Sequence, residues 1–143
     1  MRRTAAILAS LVGALALGSC QQLGFVRVAG TLEAPVLTAV AQGTVERTLP
    51  CLTAASVAGE GEEVWRIRVP GEACVEVDHL EYGVVPDGFL VETPAQPLSA
   101  GMTYLFSITG WTAPAVPFHA ASMSAFQRGR WTPSGRATRA VAL

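Results

Sequence analysis

The stretch MTYLFSIT at residues 102–109 is the clearest structural signal in the chain. Apolar or aromatic side chains stand at positions 102, 104, 106 and 108, whereas positions 103, 107 and 109 are Ser or Thr; Leu105 is the single exception. Alternation with period two over eight residues predicts a β-strand with one buried face. A β fold is therefore the first expectation for this chain.

Other candidate strands lie on both sides of this stretch. The segment at 63–69 alternates as cleanly, with Trp65, Ile67 and Val69 on one face and Arg66 and Arg68 on the other. Further short strands are predicted at 25–29, 36–40, 44–49, 73–79, 89–93 and 136–143, and a hairpin at 124–132 turns at Arg128-Gly129. The Ala- and Ser-rich stretch 113–125 has room for at most a short helix, which its prolines oppose.

Seven or more short strands separated by Gly, Pro and Ser turns predict an all-β domain built as a single antiparallel β-sandwich over residues 24–143. The sequence Pro97-Leu98-x-x-Gly101-x-x-Tyr104 resembles the entry into a late strand of immunoglobulin-like and fibronectin-like modules. That resemblance implies an immunoglobulin-like sandwich.

The N-terminus has the organisation of an export signal. Two arginines at positions 2 and 3 precede an apolar run at 5–17, and small residues then lead to Cys20. The run is shorter than the approximately 20 residues that span a bilayer as a helix. Residues 1–19 are therefore predicted to form a cleaved signal helix.

Leu17-Gly18-Ser19-Cys20 resembles the lipobox of bacterial lipoproteins. The resemblance implies a diacylglycerol and a palmitate-type acyl chain on Cys20, a lipidated tether at 20–23, and attachment to a membrane of the cell envelope. Gln21, in place of Asp, favours the outer membrane on its periplasmic side if the cell is Gram-negative. The alternative is a secreted protein in which Cys20 is a free cysteine.

The two remaining cysteines, Cys51 and Cys74, form an even pair in a chain predicted to enter an oxidising compartment. We expect them to form a disulfide. Zinc binding is the alternative, but two cysteines without a nearby histidine make a poor zinc site. No metal and no cofactor are predicted.

Charge is distributed unevenly along the chain. Residues 60–92 carry nine acidic residues against two arginines, and residues 93–143 carry four arginines and no acid. Neutralisation between strands of one sheet is the expected reason. A basic patch for anionic lipid, glycan phosphate or nucleic acid is the alternative, but no nucleic-acid motif accompanies the arginines, so no nucleic-acid partner is predicted.

Catalytic chemistry has weak candidates. His79 alternates with the apolar Val75 and Val77 and is expected to end a core face, whereas His119 is expected in a loop with Ser122 nearby. Either histidine could join Asp78 or Asp87 in a hydrolase site, although no Gly-x-Ser-x-Gly motif is present. The acids Glu60, Glu62 and Glu63 are expected to form a solvated loop; a glycosidase pair of carboxylates and calcium binding are the alternatives.

Aromatic residues beside arginine give the best binding candidates. Trp65 belongs to the core by its alternation, but Trp111 and Trp131 are candidates for exposure, and Arg128 and Arg130 accompany Trp131. An exposed aromatic ring beside Arg suits a sugar ring or a protein partner. Packing in the core or at its rim is the more common role of such a tryptophan. The candidate binding surface, if the rings are exposed, consists of Trp111, Arg128, Arg130 and Trp131.

These observations predict a membrane-anchored envelope lipoprotein with a non-enzymatic binding or structural role, and an envelope protein or glycan as its partner. One alternative is an envelope enzyme or enzyme inhibitor with a cleft that joins His119 or His79 to an acid. Another is an assembly subunit that pairs an exposed strand edge with its partner.

Overall fold

A computed structural model describes residues 22–41, 50–112 and 116–134. The predicted signal, Cys20, and the predicted strands at 44–49 and 136–143 lie outside these ranges. Within them there is no helix long and apolar enough to cross a membrane.

The described residues form strands joined by turns, which confirms the all-β prediction. The ten strands are β1 Gln22–Gly30, β2 Pro35–Ala41, β3 Cys51–Gly59, β4 Glu62–Arg68, β5 Val75–Glu76, β6 Leu80–Glu81, β7 Leu90–Thr93, β8 Thr103–Thr112, β9 Val116–Gln127 and β10 Arg130–Pro133.

The strands belong to one mixed sheet, with the order β6-β2-β1-β9-β8-β3-β4-β7; β10 also pairs with β9, and β5 with β3. β1 pairs antiparallel with β2 over most of its length, but its first residues, Gln22 to Gly24, run parallel to Phe118 to Ala120 of β9. The sequence predicted a purely antiparallel arrangement, and the structure corrects this to a mixed sheet. The reason is β1, which pairs antiparallel with β2 and parallel with β9.

The sheet curls so that strands far apart in its order face each other. Tyr82 follows β6 at one end of the order, yet its ring lies 5.2 Å from that of Trp65 on β4, near the other end. The Tyr82 hydroxyl donates to the carbonyl oxygen of Gln96 at 2.6 Å, and burial raises the pKa of this phenol. The concave side thereby encloses a core that includes Leu37, Leu52, Val57, Trp65, Ile67, Leu80, Phe106, Ile108 and Phe118.

The alternation at 102–109 has the predicted meaning. β8 lies between β9 and β3 near the middle of the sheet, and Tyr104, Phe106 and Ile108 are at most 2% exposed on its concave side. Leu105 points the other way and is 40% exposed. Trp65, Ile67 and Val69 are likewise buried as predicted.

Several elements differ from the predictions. β3, with the sequence CLTAASVAG, was not predicted because its small residues hide the alternation of buried and exposed positions. β9 begins at Val116 and runs through the Ala- and Ser-rich stretch, and only Val75–Glu76 of the strand predicted at 73–79 forms. The predicted hairpin at Arg128-Gly129 is confirmed, and both residues have the positive φ that a two-residue turn requires.

The predicted disulfide between Cys51 and Cys74 is confirmed, with the two Cα atoms 5.2 Å apart. It joins the first residue of β3 to the loop before β5, which pairs with the same end of β3. The bond closes the loop that contains β4.

Replacing both cysteines with alanine should lower the free energy of unfolding by about 3 kcal/mol, because the unfolded chain regains the freedom of a loop with a sequence separation of 23. Urea denaturation of the wild type and of C51A/C74A measures the loss. Reductant should destabilise the wild type to a similar extent and leave the variant unchanged. Equal stability of the two oxidised proteins would contradict this role for the disulfide.

Gly110→Ala should destabilise the fold by about 2–3 kcal/mol, since a Cβ at this position would overlap the backbone carbonyl oxygen of Cys51 and lie 2.9 Å from the Cα of Leu52. Ser107→Ala, on the convex side of the same strand, is the matched control and should change stability by less than about 0.5 kcal/mol. Thermal unfolding of both variants tests the comparison. Equal losses would refute the close strand approach at Gly110.

Candidate binding face

The convex side of β9, β8, β3 and β4 forms a broad face of mostly small side chains, which we call the outer face. Strand register aligns its residues in rows: His119, Thr109 and Ala54 form one row, and Ala121, Ser107 and Ser56 form the next. Short side chains leave the backbone surface open, so that ligand or protein atoms can approach the sheet closely.

A shallow depression of about 240 Å³ crosses the middle of the outer face. Ser56, Ser107 and Thr109 contribute to its floor, and Arg66 and His119 stand on opposite sides. Three strand spacings separate β9 from β4, which makes the depression roughly 14 Å wide. Its lining offers hydroxyl, imidazole and guanidinium groups to a polar ligand.

A larger groove of about 590 Å³ lies at the end of the outer face where the β3–β4 turn meets the start of β8. We call it the distal groove. Met102, Leu105 and Met123 supply its apolar walls, Gly61 and Gly101 leave it open, and Glu60 lies at its edge. Methionine side chains adapt to irregular apolar partners.

Apolar exposure is concentrated on this side of the molecule. Among the described residues nine large apolar side chains are exposed, and five of them belong to the outer face or to the adjoining part of β1: Leu23, Phe25, Leu105, Trp111 and Met123. Leu23 aligns with His119 in the parallel β1–β9 register. The five residues fall into two groups at opposite ends of the outer face, with Leu105 aligned with Met123 at one end and Leu23, Phe25 and Trp111 at the other. Exposed apolar groups of this kind are candidate interaction surfaces.

Arginine and glutamate side chains border the outer face on β4 and β7. The Nη1 of Arg66 lies 3.2 Å from the Oε2 of Glu63. The Nε of Arg66 also lies 2.9 Å from the Oε2 of Glu92, in an ion pair without hydrogen-bond geometry. Arg68 donates a hydrogen bond to Glu92, and this bond, with the charge of both arginines, lowers the pKa of the Glu92 carboxyl. These ion pairs all join residues of the acidic segment, so they do not show the neutralisation that was expected between that segment and the arginines of residues 93–143.

Neither histidine is placed as expected. His79 is exposed, and Leu80 occupies the core in its place. His119 lies on β9 rather than in a loop, half-buried opposite Thr109. Ser122 is three residues along the same strand and so points to the opposite side, where its Oγ accepts a hydrogen bond from the amide of Val26. The structure therefore does not bring Ser122 and His119 together.

The predicted Trp–Arg surface does not form as one site. Trp111 is 41% exposed on the outer face, but Trp131 is 8% exposed and donates its Nε1 hydrogen to the carbonyl oxygen of Thr31. Arg128 lies in the β9–β10 turn, and Arg130 is the first residue of β10. Since Trp111 pairs with Pro117, and Arg130 with Gln127, about 33 Å of β9 separates them.

Four apolar residues of this surface were not predicted from the sequence: Leu23, Phe25, Leu105 and Met123. Leu105 carried a usable signal, because it is the one large apolar residue among the polar positions of a strongly alternating strand. The neighbouring strands lacked such regularity, so their exposed apolar residues could be recognised only after the register was known.

The described ranges contain no group of three or more His, Cys, Asp or Glu side chains that could hold a metal ion. Comparisons with protein-family models, with curated proteins and with solved structures find no match to this chain.

Glu92→Gln should reduce the acid sensitivity of folding. Because Glu92 has a lowered pKa in the folded state, its stabilising effect is present above its unfolded pKa of about 4.3 and is lost as pH falls through the folded pKa. Urea denaturation between pH 7 and pH 2.5 should give a smaller decline for E92Q than for the wild type. Glu72→Gln, at an exposed loop position, is the control; identical profiles for E92Q and the wild type would disprove this role.

Proposed function

We propose that the protein is a lipid-anchored cell-envelope lipoprotein whose β-domain is a non-enzymatic binding module. The lipobox-like Leu17-Gly18-Ser19-Cys20 supports the anchor. The observation that carries the binding role is the concentration of exposed apolar side chains on the outer face.

The finer architecture that we propose is an immunoglobulin-like sandwich. In this interpretation β6, β2 and most of β1 form one layer, β9, β8, β3 and β4 form the other, and β1 crosses between them. Support comes from Tyr104, whose hydroxyl accepts a hydrogen bond from the backbone amide of Ser99 at 2.7 Å. A tyrosine near the start of a late strand that bonds the backbone a few residues upstream is typical of these modules.

The distal groove is our proposed binding site for an envelope protein. Its apolar walls, Leu105 and Met123, suit an apolar side chain, and Glu60 and Glu62 lie exposed on the adjacent β3–β4 turn. Charge complementarity therefore favours a polypeptide segment in which an apolar residue stands beside an Arg or Lys. The groove lies at the end of the outer face opposite the start of β1, which favours a role for it in binding a partner away from the proposed anchor.

The anchor is tested by intact-mass measurement of protein extracted from the native membrane. The proposal requires a mass that corresponds to residues 20–143 plus acyl groups. A mass without acyl groups, or one that retains residues 1–19, would refute the lipoprotein assignment.

The binding site is tested by placing a photo-crosslinking amino acid at Met123 in cells. Val91, which has the same 46% exposure but lies on β7, is the matched control position. We expect a discrete crosslinked protein from position 123 only, and at least a tenfold loss of that product when Leu105 is also changed to Asp. Crosslinking that ignores Leu105→Asp would exclude the distal groove.

A second candidate function is assembly through a strand edge. β7 ends the order of the sheet, and its Leu90 and Val91 are 54% and 46% exposed. An open edge with apolar side chains can accept a strand from a partner. A crosslinked product from position 91 but not from position 123 would favour this function over the groove.

A further inference from the structure

The N-terminal end of β1 and the C-terminal end of β8 lie at the same end of the sheet, and they carry three exposed apolar side chains: Leu23, Phe25 and Trp111. We call this group the proximal patch. We propose that the proximal patch lies in the interfacial layer of the bilayer that holds Cys20, so that the domain has one fixed orientation on the membrane. This inference rests on the proposed lipid anchor.

Chain geometry brings the proximal patch to the anchor. β1 begins at Gln22, inside the predicted tether and two residues after Cys20, so at most about 7 Å of extended chain separates them. The parallel register aligns Gln22 with Phe118 and Leu23 with His119. The chain therefore enters the sheet at the end where β9 begins.

The same register places Trp111 at this end. Trp111 pairs with Pro117, which immediately precedes the residue aligned with Gln22. Two strand spacings and two residues along the strand separate Trp111 from Leu23, which corresponds to roughly 12 Å. Both side chains are on the outer face, so a lipid surface at this end would meet them together.

Side-chain chemistry favours lipid as the occupant. Leu23, Phe25 and Trp111 are 45%, 38% and 41% exposed. Tryptophan combines a large apolar ring with an N–H donor and is enriched where hydrocarbon meets polar headgroups. A surface held within a few ångströms of an acylated cysteine meets lipid at a far higher local concentration than any protein partner.

The charged side chains near the proximal patch bear on the kind of lipid that it can contact. Glu60, on the β3–β4 turn, and Glu62 and Glu63, at the start of β4, are at the opposite end of the sheet. Glu76 is nearer, since it pairs with Cys51, which in turn pairs with Trp111. Arg27 is exposed two residues beyond Phe25 on the same side of β1 and carries the opposite charge. The two charges beside the patch therefore offset each other, and zwitterionic lipid is the appropriate probe for an apolar contact.

The three tryptophans of the chain allow a direct test. Trp65 and Trp131 are 1% and 8% exposed, whereas Trp111 is on the surface. The lipidated mature protein is reconstituted into phosphatidylcholine vesicles with or without bromine on the acyl chains near the headgroup, and tryptophan emission is compared. We expect brominated lipid to remove about a third of the emission, because one of three tryptophans contacts it.

Variants identify the residue responsible. Trp111→Phe should abolish the quenching, and Leu23→Ser should at least halve it because the patch loses contact area next to Trp111. Leu105→Ser, a matched loss of a leucine that is 40% exposed at the distal groove, should leave the quenching unchanged. Equal quenching in wild type and Trp111→Phe would overturn the proposal.

The outcomes separate the patch from the anchor. Vesicle-bound protein of acylated mass that shows no quenching would overturn the membrane contact and leave the anchor standing. Protein of unacylated mass that fails to bind vesicles would overturn both. A blue shift in emission that depends on protein concentration and ignores bromine would show a second copy covering the patch, which also overturns the proposal.

Discussion

The pairing of β1 with two different strands is the constraint on which the rest of the structure depends. Its first residues hydrogen-bond in parallel to β9, and its longer part bonds antiparallel to β2, so one strand belongs to both halves of the sheet. Without this crossing, no strand pairing among the described residues would connect β2 and β6 to β8 and β3. β1 is also the strand that follows Cys20, and it therefore links the proposed anchor to the folded domain.

The curl that this crossing permits is completed by side chains. Tyr82 packs against Trp65 and donates to Gln96, while the indole of Trp131 donates to Thr31 at the end of β1. These contacts give hydrogen-bond partners to the polar atoms of large aromatic residues that are almost fully buried, and they thereby offset the cost of desolvating those atoms. The core fills the concave side of the sheet, and the convex side remains available for binding.

Sequence patterns predicted the elements whose alternation is strong and missed those that tertiary contacts define. β8 and β4 could be recognised because large apolar and polar residues alternate, and Cys51 and Cys74 because export favours a disulfide. β3 has too few large side chains, and the parallel β1–β9 pairing carries no local signal at all. His79 is exposed although its alternation placed it at the end of a core face, and Trp131, for which both core packing and exposure were considered, is buried, because burial depends on register and on what covers each strand.

Covalent surface labelling of the lipidated protein in native membranes tests the central claim most directly, namely that one face of the domain meets membrane and partner. We predict that carbene labelling spares Leu23, Phe25, Trp111, Leu105 and Met123 and modifies Val84, Val85, Leu90 and Val91. All nine side chains are exposed to a comparable degree in the isolated domain, which makes them internal references for one another. Equal labelling of the two groups, or selective protection of the second, would contradict the account.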